Sequence, residues 1–137
     1  PNETEEDIIN NILLTKSLEP DMYSFGPIIP TYNTPLEHIS SPDETTILKI
    51  ISITRFVDRQ SKILITSAFE TLSKNAKRNG LLAGGNSLMI NVTPNCYKKL
   101  YEIYTGRPDI NKTIEENIKN TVDLLYSLGR APTDLGI

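Results

Sequence analysis

The sequence has only one cysteine and no excess of positive charge, and both shortages exclude classes of function. Its 137 residues include 14 lysines and arginines against 17 aspartates and glutamates. This balance lacks the basic surface expected of a nucleic-acid-binding protein. A single cysteine, Cys96, excludes an internal disulfide and cannot by itself ligate a cluster or a structural zinc ion. A reducing cytoplasm is therefore the expected compartment.

Long apolar runs are also missing. The longest, such as Ile12-Leu13-Leu14, fall far short of the roughly 20 residues that span a bilayer, and no signal-peptide pattern precedes them. We therefore expect no membrane partner. The chain opens on proline rather than methionine and enters a helix within four residues. We expect it to be one domain, residues 1–137, cut from a longer protein.

Hydrophobic spacing, capping residues and glycine or proline stops predict alternating helices and strands. The predicted helices cover residues 4–19, 41–57, 73–83, 93–106 and 113–128, and the predicted strands cover residues 22–25, 63–66 and 87–91. This alternation favours parallel pairing through right-handed crossovers. Three strands are few for a parallel sheet, which normally has both faces covered. The pattern therefore predicts an α/β unit that needs further strands.

Four sequence motifs follow one another in order along the chain. They are residues 21–30 (Asp-Met-Tyr-Ser-Phe-Gly-Pro-Ile-Ile-Pro) with Thr34-Pro35-Leu36, then Ile65-Thr66-Ser67-Ala68, then residues 84–94, and finally residues 97–104 with Leu128-Gly129-Arg130-Ala131-Pro132. In this order they resemble radical S-adenosylmethionine (SAM) enzymes, most of all the [FeFe]-hydrogenase maturase branch, then methylornithine synthase and biotin synthase. The resemblance implies a partial (β/α)8 TIM barrel: about the last three βα units plus the C-terminal helices.

The resemblance also implies where ligands would bind, since these barrels bind them at the C-terminal ends of their strands. The residues expected to border SAM are Met22, Ser24, Pro27, Ile28, Met89, Asn91 and Tyr101. The residues expected to contact substrate are Thr66, Ser67 and Tyr104, with the first two hydroxyls directed at a carboxylate or another anion. No catalytic residue and no metal ligand is assigned to this chain.

The sequence departs from the family in ways that concern both clusters. The three-cysteine motif that ligates the catalytic [4Fe–4S] cluster belongs to the first strand of the family's barrel and is absent here. Accessory-cluster cysteines are replaced by Arg107-Pro108-Asp109-Ile110. Ile28 replaces an aromatic residue, and Ile90 replaces a proline. SAM and the cluster are therefore expected as cofactors of the full-length parent, with the cluster not ligated by this fragment.

Each candidate residue also has a purely structural explanation. The alternatives are core packing for Met22 and Met89, a turn or helix cap for Thr66 and Ser67, a helix cap for Asn91 and Thr93, and packing for one or two of Tyr97, Tyr101 and Tyr104.

The leading functional hypothesis is a fragment of a radical SAM enzyme that forms one wall of the SAM and substrate cavity. Its expected partners are SAM, a small anionic substrate and the N-terminal part of the barrel, and the parent would act in hydrogenase maturation. The fragment alone should be inactive and should self-associate through open strand edges. The alternatives are a biotin synthase or methylornithine synthase-like parent, and a non-catalytic binding or assembly module that uses the same fold. A phosphate-binding barrel is disfavoured by the missing glycine-rich loop.

Overall fold

The computed structural model of this protein describes residues 3–98, 100, 103–104, 106–108 and 110–133. Its elements are α1 (Glu5–Ser17), β1 (Met22–Phe25), α2 (Glu44–Val57), β2 (Lys62–Ile65), a 3-10 turn (Phe69–Thr71), α3 (Ala76–Leu82), β3 (Ser87–Leu88), α4 (Asn95–Lys98) and α5 (Ile114–Ser127). They divide into two compact units, Pro1–Met89 with Tyr104–Arg107 and Ile90–Ile103 with Pro108–Ile137.

The first unit is built on a parallel sheet in the order β1-β2-β3. Tyr23 pairs with Ile63 across the first strand pair, and Leu64 pairs with Ser87 across the second. Parallel strands end in the same direction, so the carboxyl ends of all three lie at one edge of the sheet. The α/β class and the parallel pairing expected from the sequence are both confirmed.

The two faces of this sheet differ in burial. Tyr23 and Ile63 are 3% and 0% exposed, and Ile65 is also buried, so they form the face that packs against α2 and α3. The helices contribute the rest of the core: Ile12, Ile47, Ile51, Ala76 and Leu81, with Phe69 from the 3-10 turn. On the other face, Met22 and Ser24 are exposed and Leu64 is half-buried. One face of the parallel sheet is therefore covered and the other is open.

Side-chain caps begin three of the helices. The Thr4 hydroxyl accepts from the Asp7 N–H and the Asp7 carboxylate accepts from the Thr4 N–H, which confirms the predicted start of α1. Thr113 forms the same reciprocal pair with Glu116 and begins α5 as predicted. The predicted Ser41 cap of α2 is wrong. Asp43 caps this helix instead, because its carboxylate accepts a short charge-assisted bond, 2.7 Å long, from the Thr46 N–H.

Three elements are shorter than the sequence predicts. Helix α3 begins at Ala76 because residues 73–75 form a turn, in which the Ala76 N–H donates to the Ser73 carbonyl oxygen at 3.2 Å. Strand β3 covers only Ser87–Leu88 of the predicted residues 87–91. Within the described part of the chain, the helix predicted for residues 93–106 covers only Asn95–Lys98, and the Tyr104 hydroxyl hydrogen-bonds with Ser67. Among the described residues, no helix combines the length and the apolar character that crossing a membrane requires.

Candidate functional site at the carboxyl edge of the sheet

The candidate site is the carboxyl edge of the sheet, which we define by the residues that directly follow its strands. Gly26 and Pro27 follow β1, Thr66 and Ser67 follow β2, and Met89 follows β3. Pro27 is buried, Thr66 and Ser67 are half-buried, and Met89 is 48% exposed. Five predicted or neighbouring residues therefore lie at one edge although they follow three separate strands.

Thr66 has a structural role at this edge. Its hydroxyl accepts from the Phe69 N–H at 3.2 Å and donates to the Phe25 carbonyl oxygen at 3.4 Å. It therefore begins the 3-10 turn and ties the end of β1 to the end of β2. Its one hydroxyl proton is engaged with a backbone carbonyl, so the turn explanation accounts for Thr66 here. Its predicted substrate contact stays a prediction.

Ser67 has a different partner. Its hydroxyl oxygen lies 2.9 Å from the hydroxyl oxygen of Tyr104, and both residues are half-buried. One hydrogen bond uses one of the two hydroxyl protons, so the acceptor hydroxyl retains a proton that can be donated to a third group. The structure thus brings together two of the three predicted substrate-binding residues. We call Ser67 and Tyr104 the hydroxyl pair.

The predicted SAM-binding residues are more dispersed. Met22 begins β1, three residues and about 10 Å of strand before Phe25 and the carboxyl edge. Ser24 lies on the open face of the same strand, and Ile28 is half-buried just beyond Pro27. The structure therefore brings Pro27 and Ile28 to the carboxyl edge and leaves Met22 at the opposite end of β1.

Asn91 belongs to the second unit. Its side-chain oxygen accepts from the Thr93 N–H at 3.0 Å, and its backbone oxygen accepts from the Asn117 side-chain amide at 3.2 Å. The Asn91 side chain therefore forms a turn ahead of α4 rather than capping the helix directly. Tyr101, the remaining predicted SAM-binding residue, lies outside the described residues.

A buried acidic residue at the other end of the sheet was missed by the sequence reasoning. Asp58, 4% exposed, ends α2 and accepts hydrogen bonds from Ser61, Lys16 and the Tyr23 hydroxyl. The hydrogen bonds from Ser61 first, and from Lys16 second, hold the pKa of Asp58 well below its usual range. Burial, followed by the negative charge of Asp58, raises the pKa of Tyr23.

This Asp58 cluster lies before β2, at the amino ends of the strands and opposite the carboxyl edge. The Asp58-x-x-Ser61 spacing, typical of a turn whose aspartate accepts from the following N–H groups, was the signal in the sequence. We interpret the cluster as a structural connection between α1, β1 and the α2–β2 loop.

The residues present do not fit an iron–sulfur cluster. Cys96 is exposed, and the described part of the chain contains no group of three or more histidine, cysteine or acidic side chains that could hold a metal ion. The chemistry of the residues fits SAM better. In the first unit the hydroxyl pair offers polar groups and Met89 offers an exposed thioether.

Comparison with known proteins identifies the family. Residues 24–130 match the Biotin and Thiamin Synthesis associated domain. The chain is 32% identical over 132 residues to the [FeFe] hydrogenase maturase subunit HydE of Thermotoga maritima, a match that covers 96% of this chain and 38% of that relative. The chain thus spans less than two fifths of the relative's length, and the predicted relationship to radical SAM enzymes of the hydrogenase-maturase branch is confirmed. The chain belongs to the Biotin and Thiamin Synthesis associated domain family.

Proposed function

We propose that this chain forms one wall of the SAM and substrate cavity of a radical SAM enzyme that acts in [FeFe]-hydrogenase maturation. The observation that carries the proposal is the hydroxyl pair, Ser67 with Tyr104, at the carboxyl edge of a parallel sheet. Ligands of α/β barrels bind at this edge. The free hydroxyl proton of the pair is suited to an anionic substrate such as a carboxylate.

The open face of the sheet supports a barrel as the complete architecture. Parallel sheets occur almost only with both faces covered. Here one face is covered by α2 and α3, while Met22 and Ser24 on the other face are exposed. We propose that these three strands are the last three of a (β/α)8 barrel, so that the open face lines its interior. The N-terminal part of that barrel would pair with both edges of the sheet, β1 and β3.

The residues of this chain suggest which ligands it would bind and which the rest of the parent protein would bind. The cluster would be ligated elsewhere in the parent, since the described residues offer no site for it. Pro27, Ile28 and Asn91 would border SAM, which when bound supplies the adenosyl group for radical chemistry. The hydroxyl pair would orient the substrate carboxylate and help to exclude water. Met22, Ser24, Met89 and Tyr101 remain proposed SAM neighbours by resemblance.

The experiment uses the full-length protein that contains this chain, with its cluster reconstituted under reducing conditions. Formation of 5′-deoxyadenosine from SAM tests the radical SAM assignment. Restoration of active hydrogenase in a host without its own maturase subunit tests the pathway. Growth of a biotin-requiring strain would instead favour the biotin synthase-like alternative, and new methylornithine would favour the methylornithine synthase-like one.

Two variants test the hydroxyl pair within that experiment. Tyr104→Phe and Ser67→Ala each remove the hydrogen bond between the two residues, and we expect each to reduce maturation about tenfold, the effect of one lost polar contact. Tyr32→Phe is the matched control because Tyr32 is 81% exposed. If both variants mature hydrogenase as well as the control does, the pair does not contact substrate.

A non-catalytic assembly module is the second candidate. The observation that favours it is the missing cluster ligand set in the described part of the chain. A full-length protein without a cluster-binding motif, and without 5′-deoxyadenosine formation after reconstitution, would support this module and refute the enzyme proposal.

A further inference from the structure

A buried amide on α5 has no function in the site described above. Asn117 is 3% exposed, and its side-chain nitrogen donates to the backbone oxygen of Asn91 at 3.2 Å, across 26 residues of sequence. Its side-chain oxygen is buried and has no hydrogen-bond partner within the described part of the chain. A buried amide with one unsatisfied atom is a poor choice for packing alone, because an apolar side chain of similar size avoids that cost.

Asn117 contacts the turn that the Asn91 side chain forms. The Asn91 side-chain oxygen accepts from the Thr93 N–H at 3.0 Å. Of the two ends of an asparagine amide only the oxygen accepts, so this bond determines which end of the Asn91 amide faces the turn. Both oxygens of Asn91 are then engaged, the side-chain oxygen by Thr93 and the backbone oxygen by Asn117. The NH2 group is the donor of the Asn91 side chain that these two bonds do not use.

We infer that Asn117 is a positioning residue, which holds the Asn91 turn so that the Asn91 NH2 group can donate to an acceptor atom of a bound ligand. The inference deepens the proposed function and rests on it, since the ligand at Asn91 is there taken to be SAM. It also specifies the chemistry of the contact: Asn91 offers a donor, so the ligand atom that it meets is a carboxylate, hydroxyl or ring-nitrogen acceptor.

The first test measures the turn itself, without any cofactor. Asn117→Leu in the full-length protein, before cluster reconstitution, removes the donor to Asn91 and also removes the unsatisfied oxygen, so the thermal midpoint should change little. Hydrogen exchange at the Thr93 N–H should nevertheless become about tenfold faster, because one supporting hydrogen bond is lost. Asn120→Leu, on the exposed face of the same helix, is the matched control. Unchanged protection of Thr93 in Asn117→Leu would overturn the inference; if that variant fails to fold, Asn117→Ser is measured instead.

The second test measures the dissociation constant of SAM in the reconstituted full-length protein. Asn91→Asp keeps an oxygen for the Thr93 N–H but replaces the NH2 donor, and we expect at least tenfold weaker binding. Asn117→Leu should weaken binding to a similar degree while Asn120→Leu does not. If only Asn91→Asp weakens binding, the positioning role is wrong and the proposed function stands. If neither variant does, Asn91 does not contact SAM, and that part of the proposed function fails together with the inference.

Discussion

The packing of Gly80 in α3 against Ile65 in β2 allows a sharp prediction about stability. A Cβ atom built on Gly80 would lie 2.7 Å from the Cδ1 atom of Ile65 and 3.0 Å from the Cε1 atom of Phe69. Ile65 is 1% exposed and Phe69 0%, so neither side chain has room to move aside. Gly80→Ala therefore overpacks the core, although alanine is the better helix former.

The two effects have opposite signs. Alanine in a helix interior stabilises by about 1 kcal/mol relative to glycine, while overpacking a core costs about 1–3 kcal/mol. We expect Gly80→Ala to lower the free energy of unfolding by about 1 kcal/mol. Ile65→Val removes the Cδ1 atom that causes the nearest clash and alone costs about 1 kcal/mol.

The double variant decides whether this geometry is the cause. With the Ile65 Cδ1 atom removed, the nearest clash is gone and only the 3.0 Å contact with the Phe69 Cε1 atom remains tight. Gly80→Ala with Ile65→Val should therefore be more stable than the sum of the single effects allows. Urea unfolding of all four proteins measures the coupling energy. Gly26→Ala is the control, because its Cβ would lie an ordinary 3.7 Å from the nearest atom, the Thr66 hydroxyl oxygen. Additive single effects, within about 0.5 kcal/mol, would refute the reasoning.

Three further predictions concern the termini of the elements and the isolated chain. The pKa of Asp58 is lowered in the folded protein, so its contribution to stability is present above the unfolded pKa and is lost as the pH falls towards the folded pKa. Asp58→Asn should therefore reduce the free energy of unfolding at pH 7 and weaken the loss of stability between pH 4 and pH 2, as measured by urea unfolding at each pH. An unchanged acid profile would argue against a stabilising role of the Asp58 cluster. Thr113→Ala removes the reciprocal cap of α5 and should lower the free energy of unfolding by about 1 kcal/mol in the same assay. An effect below about 0.3 kcal/mol would mean that water satisfies the first N–H groups of α5 as well as the cap does. The isolated chain should self-associate through the open edges of β1 and β3, so a concentration-independent monomer in sedimentation would contradict the proposed missing strands.

The local predictions that the structure confirms depend on residues close together in sequence. The caps at Thr4 and Thr113, the β1 span and the parallel α/β order all follow from spacing and side-chain chemistry within a few residues. The Ser41 prediction was wrong for a local reason as well. Two plausible caps lie within three residues, and the carboxylate of Asp43 forms the stronger bond.

The arrangement of the site depended on contacts between distant residues. Thr66 and Ser67 are neighbours with the same kind of hydroxyl, yet Thr66 forms a turn and Ser67 binds Tyr104, 37 residues later. Helical spacing alone placed Tyr104 in a continuous helix, and nothing near it in sequence signals a return to the first unit. Asn117 likewise reads as one polar residue of an amphipathic helix until its amide meets the backbone of Asn91.

The sequence by itself therefore determined the family, the α/β class and most helix and strand positions, because motifs, periodicity and caps are local properties. Only the tertiary structure decided which face of the sheet stays open, which hydroxyls meet at the carboxyl edge, and which polar residues are buried as structural supports. Those outcomes depend on the packing of residues that are far apart along the chain, and local patterns in the sequence do not determine that packing.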